Sequence, residues 1–213
     1  MRYENFLQNE IYHLAVSGAG ESILFIDDED RTRFIFLITH FQSPTQIYNI
    51  NWHTNRFLKK GAFTPTPEKQ KLILSGRNVE LLSFVILKDQ FHLLLRNLAE
   101  GITSVYMQRI LTAYSKYFNK KYNKRGHVFS GPFRAKKIKN NEELLKISAQ
   151  FHISAKELVE EKSGDYPWSS YQDYIEINRW GELLSTEPIL KHFKNQAEYK
   201  KFVESHKPEK LLF

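Results

Sequence analysis

The stretch from Leu81 to Leu95, LLSFVILKDQFHLLL, decides the fold. Most of it is Leu, Val, Ile and Phe, the composition of a buried strand. Lys88 and Asp89 interrupt it, so it reads as one long strand or as a hairpin with arms Val79–Leu87 and Phe91–Leu95. Side chains two apart on a strand share a face. Gln90 and His92 therefore look out together, and Phe91 looks the other way. A polar pair on a core strand is costly unless something uses it. A metal or a phosphate could be the user. The plainer alternative makes His92 a satisfied structural histidine and lets Gln90 bond a neighbouring helix.

Working outward, the elements alternate. Tyr12–Ser17 reads as a short strand closed by Gly18-Ala19-Gly20. Asp27–Phe41 has an acidic first turn and a stripe of Phe34, Leu37, Ile38 and Phe41, the pattern of an amphipathic helix. Ile47–Trp52 suits a strand and Asn55–Lys60 a helical turn. Phe63–Pro67 is a loop, and Glu68–Leu74 a short helix or strand. Thr103–Asn123 reads as a helix, Gly126–Phe133 as a connection and Ala135–Lys139 as an edge strand. Asn141 is placed to cap a helix over Glu142–Glu161. Tyr166-Pro167-Trp168 breaks the pattern, and Pro188–Ser205 suits a final helix.

The chain has 213 residues, enough for one domain with extensions, and no cysteine, which excludes disulfides and thiolate metal sites. The N-terminus is polar and charged, unlike a secretory signal, and no apolar run approaches a membrane span. A soluble, cytoplasmic protein without a membrane partner is expected. The net charge of +7 and the pI near 9.4 favour a polyanion. The distribution says more. No Asp or Glu occurs from Gly101 to Asn141, where Arg109, Lys116, Lys120, Lys121, Lys124, Arg125, Arg134, Lys136, Lys137 and Lys139 are interleaved with aromatics. Arg109, Lys116 and Lys120 fall on one helical stripe, with Tyr106, Ile110, Ala113, Tyr114 and Tyr117 beside it. Phosphate contacts need Lys and Arg free of competing carboxylates. All of these cations except Lys139 are candidate DNA-binding residues.

Four stretches in order carry a resemblance to a known family: Tyr12-His13-Leu14 with Gly18, the acidic helix start Leu24–Phe34, Gly126-His127-Val128-Phe129-Ser130-Gly131-Pro132-Phe133, and Asp165-Tyr166-Pro167-Trp168-Ser169-Ser170-Tyr171. Together they resemble the single-tyrosine HUH transposases, in the branch of the REP-associated tyrosine transposases. The resemblance implies an α+β fold, a ferredoxin-like antiparallel sheet with packed helices, over residues 1–177. It leaves a C-terminal helical extension at 178–213. It also implies single-stranded or hairpin DNA as partner, homodimers, and cleavage by a tyrosine with magnesium or manganese.

The sequence departs from that family where the chemistry resides. The first histidine of the pair falls on Gln90, and His92 remains as the second. The nucleophilic tyrosine falls on Gln150 and the asparagine ligand on Ser154. A glutamine amide cannot attack a phosphodiester, and it is a poorer ligand than imidazole for most transition metals. The expectation is a DNA-binding protein with no intact catalytic set, no cofactor, and His92 as a metal-site remnant. Magnesium or manganese would matter if activity persisted. One alternative is an active metal-dependent nuclease using Tyr114 or Tyr117 with His92, Gln90 and Asp89. The other is a basic protein-interaction scaffold. His127 and His152 read as packing or capping residues, and Tyr166 and Trp168 as anchors of the C-terminal segment.

Overall fold

A computed structural model describes residues 5–60, 67–160, 166–209 and 211. The elements run β1 (Ile11–Ser17), α1 (Asp28–His40), α2 (Ile50–Lys60), α3 (Pro67–Ser75), β2 (Val79–Ile86), β3 (Gln90–Asn97), α4 (Ile102–Lys121), β4 (Arg134–Lys137), α5 (Asn141–Glu160), α6 (Tyr171–Ile175), α7 (Glu187–Leu190) and α8 (Gln196–Glu204). The four strands form one antiparallel sheet in the order β2-β3-β1-β4. That order and the helical crossovers make a ferredoxin-like βαββαβ core. The Leu81–Leu95 run is a hairpin, with Lys88 and Asp89 exposed in its turn.

The sheet is covered on both faces, which explains why β2 and β3 are almost continuously apolar. Tyr12, Leu14, Leu81, Phe91 and Leu93 point into a core shared with α1 and α4. Leu82, Val85 and Leu94 point into a second core shared with α5, α6 and α8. A bulge between Leu81 and Ser83 turns Leu82 and Ser83 to the same face. Ser83 there meets His152 of α5 at 3.2 Å and Ser170 at 2.9 Å. His152 also contacts the Tyr199 hydroxyl of α8 at 2.7 Å. It is a buried packing residue, whereas His127 is exposed.

The acidic start of α1 is a cap. The Asp27 carboxylate accepts the Asp30 N–H, and the Asp30 carboxylate accepts the Asp27 N–H. Gly18 is needed because a Cβ there would stand 2.0 Å from the Ser22 carbonyl oxygen. Tyr166 and Trp168 anchor the chain along the free edge of β2. The Tyr166 hydroxyl donates to the Ile86 carbonyl, Ile86 N–H to Trp168 at 2.9 Å, and Ser170 N–H to Phe84 at 3.0 Å. That segment shields an edge that would otherwise invite pairing. Residues beyond Asn178 enter both cores, through Trp180, Leu183 and Leu184 on one face and Ile189, Tyr199 and Val203 on the other.

Several local expectations are corrected. Ile47–Trp52 is not a strand: α2 begins at Ile50, just after Asn49 takes a left-handed φ of 56°. Of the two readings offered for Glu68–Leu74, the helix holds, as part of α3. The cap of α5 is Asn140, whose side chain accepts the Glu143 N–H at 2.9 Å, not Asn141. The final helix is two helices, broken between Lys191 and Asn195, with Asn195 capping the second. The loop expected at Phe63–Pro67 lies mostly outside the described residues.

Candidate functional site

On the α5 face of the sheet, β3 presents Gln90 beside Ser17 and His92 beside Ala15, as the two-residue period requires. Sequence reasoning missed the residue that completes this site. His13 of β1 lies diagonally across from His92, and its Nε2 is 3.0 Å from His92 Nδ1. One imidazole donates and the other accepts. The signal was Tyr12-His13-Leu14, but the contact depends on strand register, which spacing alone cannot give. The Phe151 ring of α5 packs against both imidazoles, with centroids 5.1 and 5.7 Å away.

Burial holds both histidines neutral. It pushes His92 well below its ordinary pKa, and it does the same to His13 with added opposition from His92 and Lys136. This donor set does not fit a hard divalent cation. Magnesium and manganese prefer oxygen ligands, and here two imidazoles share one hydrogen bond beneath a phenyl ring. Among the described residues, no group of three or more His, Asp or Glu is placed to hold a metal.

Gln150 bonds to the C-terminal tail. It is buried, its amide nitrogen donates to the Lys207 carbonyl at 3.1 Å, and its oxygen accepts the Glu209 N–H at 2.9 Å. Among the described residues, Phe151 of α5 faces both histidines, and its ring has no hydroxyl. Ser154 lies one turn further along α5, half-buried. Asp89 is exposed in the hairpin turn, away from the histidine pair's buried setting.

The tyrosines of α4 are no closer to that chemistry. Tyr106 and Tyr114 lie in the core on the other face of the sheet, donating to the carbonyls of Ile38 and Leu24 at 2.7 and 2.6 Å. Burial raises the pKa of both, the opposite of activation. Tyr117 donates to Asp30 at 3.0 Å, and burial raises its pKa too.

The nine candidate DNA-binding cations divide by their partners. Arg109 is half-buried, donates to the Ser43 carbonyl at 2.6 Å and covers the Phe41 ring. Lys121 sits among Asp27, Glu29 and Asp30 at 2.8 to 3.1 Å. Burial opposes its charge, but hydrogen bonds to Asp27 and Asp30 prevail and raise its pKa. These two tie α4 to α1 and its following loop. Lys136 pairs with Glu143 and Lys137 with Glu10. Lys116, Lys120, Lys124, Arg125 and Arg134 are exposed and form no ion pair with any described residue. Lys116 and Lys120 are one turn apart on α4, and Lys124 follows the helix end beyond the left-handed Asn123, with its ammonium 5.3 Å from the Phe118 ring. No described helix is long and apolar enough to cross a membrane.

Fold and site together define an α+β protein with a two-face-covered antiparallel sheet, a buried histidine pair and an exposed basic helix. No family model matches the chain, and no curated protein matches it. Among solved structures, it is similar to a REP-associated tyrosine transposase bound to a REP hairpin, at 12% identity and a TM-score of 0.49, covering 87% of this chain and 90% of that one. It is also similar to the tRNA(His) guanylyltransferase from Saccharomyces cerevisiae, at 9% identity and a TM-score of 0.40, covering 96% and 80%.

Proposed function

We propose that this protein binds DNA, single-stranded or folded as a hairpin, and does not cleave it. The observation that carries the reading is the row Lys116, Lys120, Lys124 and Arg125. It is exposed, lacks carboxylate partners among the described residues and lies within a segment without an acidic residue. Phosphates can replace water around such cations without first breaking ion pairs. Lys136 and Lys137 would join by exchanging Glu143 and Glu10 for phosphate, at little cost because surface pairs contribute little. The absence of cleavage in this reading is supported by the other face, where Phe151 packs against the histidine pair and Gln150 is bonded to the C-terminal tail. A nucleophile and an open metal position are both needed for a tyrosine nuclease.

Two results are expected from one preparation. Hairpin DNA is bound at low salt, and the triple variant Lys116→Glu, Lys120→Glu, Arg125→Glu binds it roughly 100-fold more weakly, with a shallower salt dependence. Incubation with the hairpin and manganese leaves no covalent protein–DNA band on a denaturing gel. A covalent band would overturn the claim of binding without cleavage, and an unaffected triple variant would place the interface elsewhere.

A further inference from the structure

The chain has a second acid-free stretch. No Asp or Glu lies between Asp30 and Glu68, where Arg31, Arg33, Arg56, Lys59 and Lys60 occur. This stretch folds against the first. A cleft of about 610 Å³ has Phe41 and Ile47 on one wall and Thr112 and Lys116 on the other. Arg33 of α1 donates to Asn51 of α2, and its guanidinium lies 4.7 Å over the Tyr117 ring of α4. Arg33 of α1 thus stands between Asn51 of α2 and Tyr117 of α4.

On α2 a further cleft, of about 510 Å³, is lined by Trp52, Asn55, Arg56 and Lys59. Trp52 is 54% exposed, and the Arg56 guanidinium stands 5.2 Å over its ring. A tryptophan exposed to this degree forgoes much of the free energy its burial would supply. The chemistry around it suits one ligand class. The indole offers a flat π-face, Arg56 and Lys59 offer positive charge one turn apart, and no carboxylate among the described residues lines the cleft. Base stacking on aromatics combined with a cationic track is how unpaired strands are held.

We propose that Trp52 is a stacking platform for an unpaired DNA base, with Arg56 and Lys59 holding the phosphates beside it. This rests on the DNA-binding reading and extends it to a strand-selective subsite, separate from the α4 row.

The other two tryptophans, Trp168 and Trp180, are 9% and 5% exposed, so emission from the whole chain reports stacking at Trp52. The experiment titrates the full chain with an oligothymidylate, a blunt duplex, an oligouridylate and polyglutamate, reading tryptophan emission and binding anisotropy. The oligothymidylate is expected to quench the emission strongly and the duplex and polyglutamate to quench it little. Trp52→Phe removes most of the quenching while retaining part of the affinity. Trp52→Ala weakens strand binding roughly tenfold or more and leaves duplex affinity and its salt slope unchanged. Strand binding without quenching, or a Trp52→Ala variant equal to the parent, overturns the platform while leaving DNA binding intact. Equal quenching by polyglutamate overturns base stacking, and tighter binding of oligouridylate overturns DNA as the occupant. If the parent chain binds no nucleic acid at all, both proposals fall.

Discussion

Acidification is expected to unfold the protein with a midpoint between about pH 3.5 and 5.5. Four histidines are buried and neutral in the fold. Burial pushes His40 and His152 down to about 3, and lowers His13 and His92 as well. The unfolded chain takes up protons at these positions near pH 6.5, and the folded chain does not. Their contribution to stability is therefore complete above about pH 6.5 and is lost as the pH falls below it, toward the folded-state values. Each costs about 1.4 kcal/mol per pH unit in that window, on the order of 5 kcal/mol per unit for the four. A domain of ordinary stability, roughly 5–15 kcal/mol, is exhausted after about one to three units of that. Circular dichroism against pH reads the midpoint, and urea unfolding at several pH values reads the slope. Replacing one of the four by glutamine should shallow the slope by about a quarter, whatever it does at neutral pH. A fold that persists unchanged to about pH 3.5 would contradict this account of the buried histidines.

The second large effect lies at Asp173. Its buried carboxylate accepts Arg179 N–H and Nε at 2.9 Å on one oxygen, and Arg179 Nη2 at 2.8 Å and Trp180 Nε1 at 2.9 Å on the other. Arg179 in turn donates to the carbonyls of Pro167 and Ser169 at 3.1 and 2.9 Å. This one carboxylate joins the segment along the β2 edge to Trp180, which stacks on Phe57 at 5.5 Å. Asp173→Ala leaves a partly buried guanidinium without its counter-charge and an indole N–H without an acceptor. The expected cost is about 3–5 kcal/mol, measured by urea unfolding at neutral pH. A loss below about 1 kcal/mol would mean that the C-terminal segment is held by apolar packing alone.

Much of the fold was legible in short-range pattern. The Asp27–Asp30 capping box and the Phe34–Phe41 stripe define α1 locally, and the Lys88-Asp89 interruption marks the hairpin turn. Elements whose identity depends on context were not legible. Ile47–Trp52 has the β-branched and aromatic content of a strand, yet a left-handed Asn49 starts a helix that packs on α1. Pro188–Ser205 lacks a strong breaker, and Asn195 acts as a cap only because the chain turns there. At the site, Gln90 and His92 sharing a face followed from strand periodicity. The His13–His92 bond and the Phe151 ring above it did not, because they require knowing which residues of other elements arrive there. The basic stretch was visible as composition. That Arg109 and Lys121 are bound internally, while Lys116, Lys120 and Lys124 stand free of ion pairs among the described residues, depends on tertiary contacts.

Gln90, Gln150 and Ser154 do not share one setting. Gln150 is buried and bonded to the backbone of the C-terminal tail, whereas Gln90 and Ser154 are half-buried. The charge meanwhile gathers on the helices, where binding needs no nucleophile. The measurement that bears most directly on this is the affinity of the full chain for a DNA hairpin across a salt series, from about 50 to 200 mM. The expected result is a linear fall of log affinity with log salt, with a slope reporting roughly three to five phosphate contacts, reduced in the Lys116→Glu, Lys120→Glu, Arg125→Glu variant. No binding at the lowest salt, or an affinity that does not change with salt, would contradict a phosphate-binding role for this face.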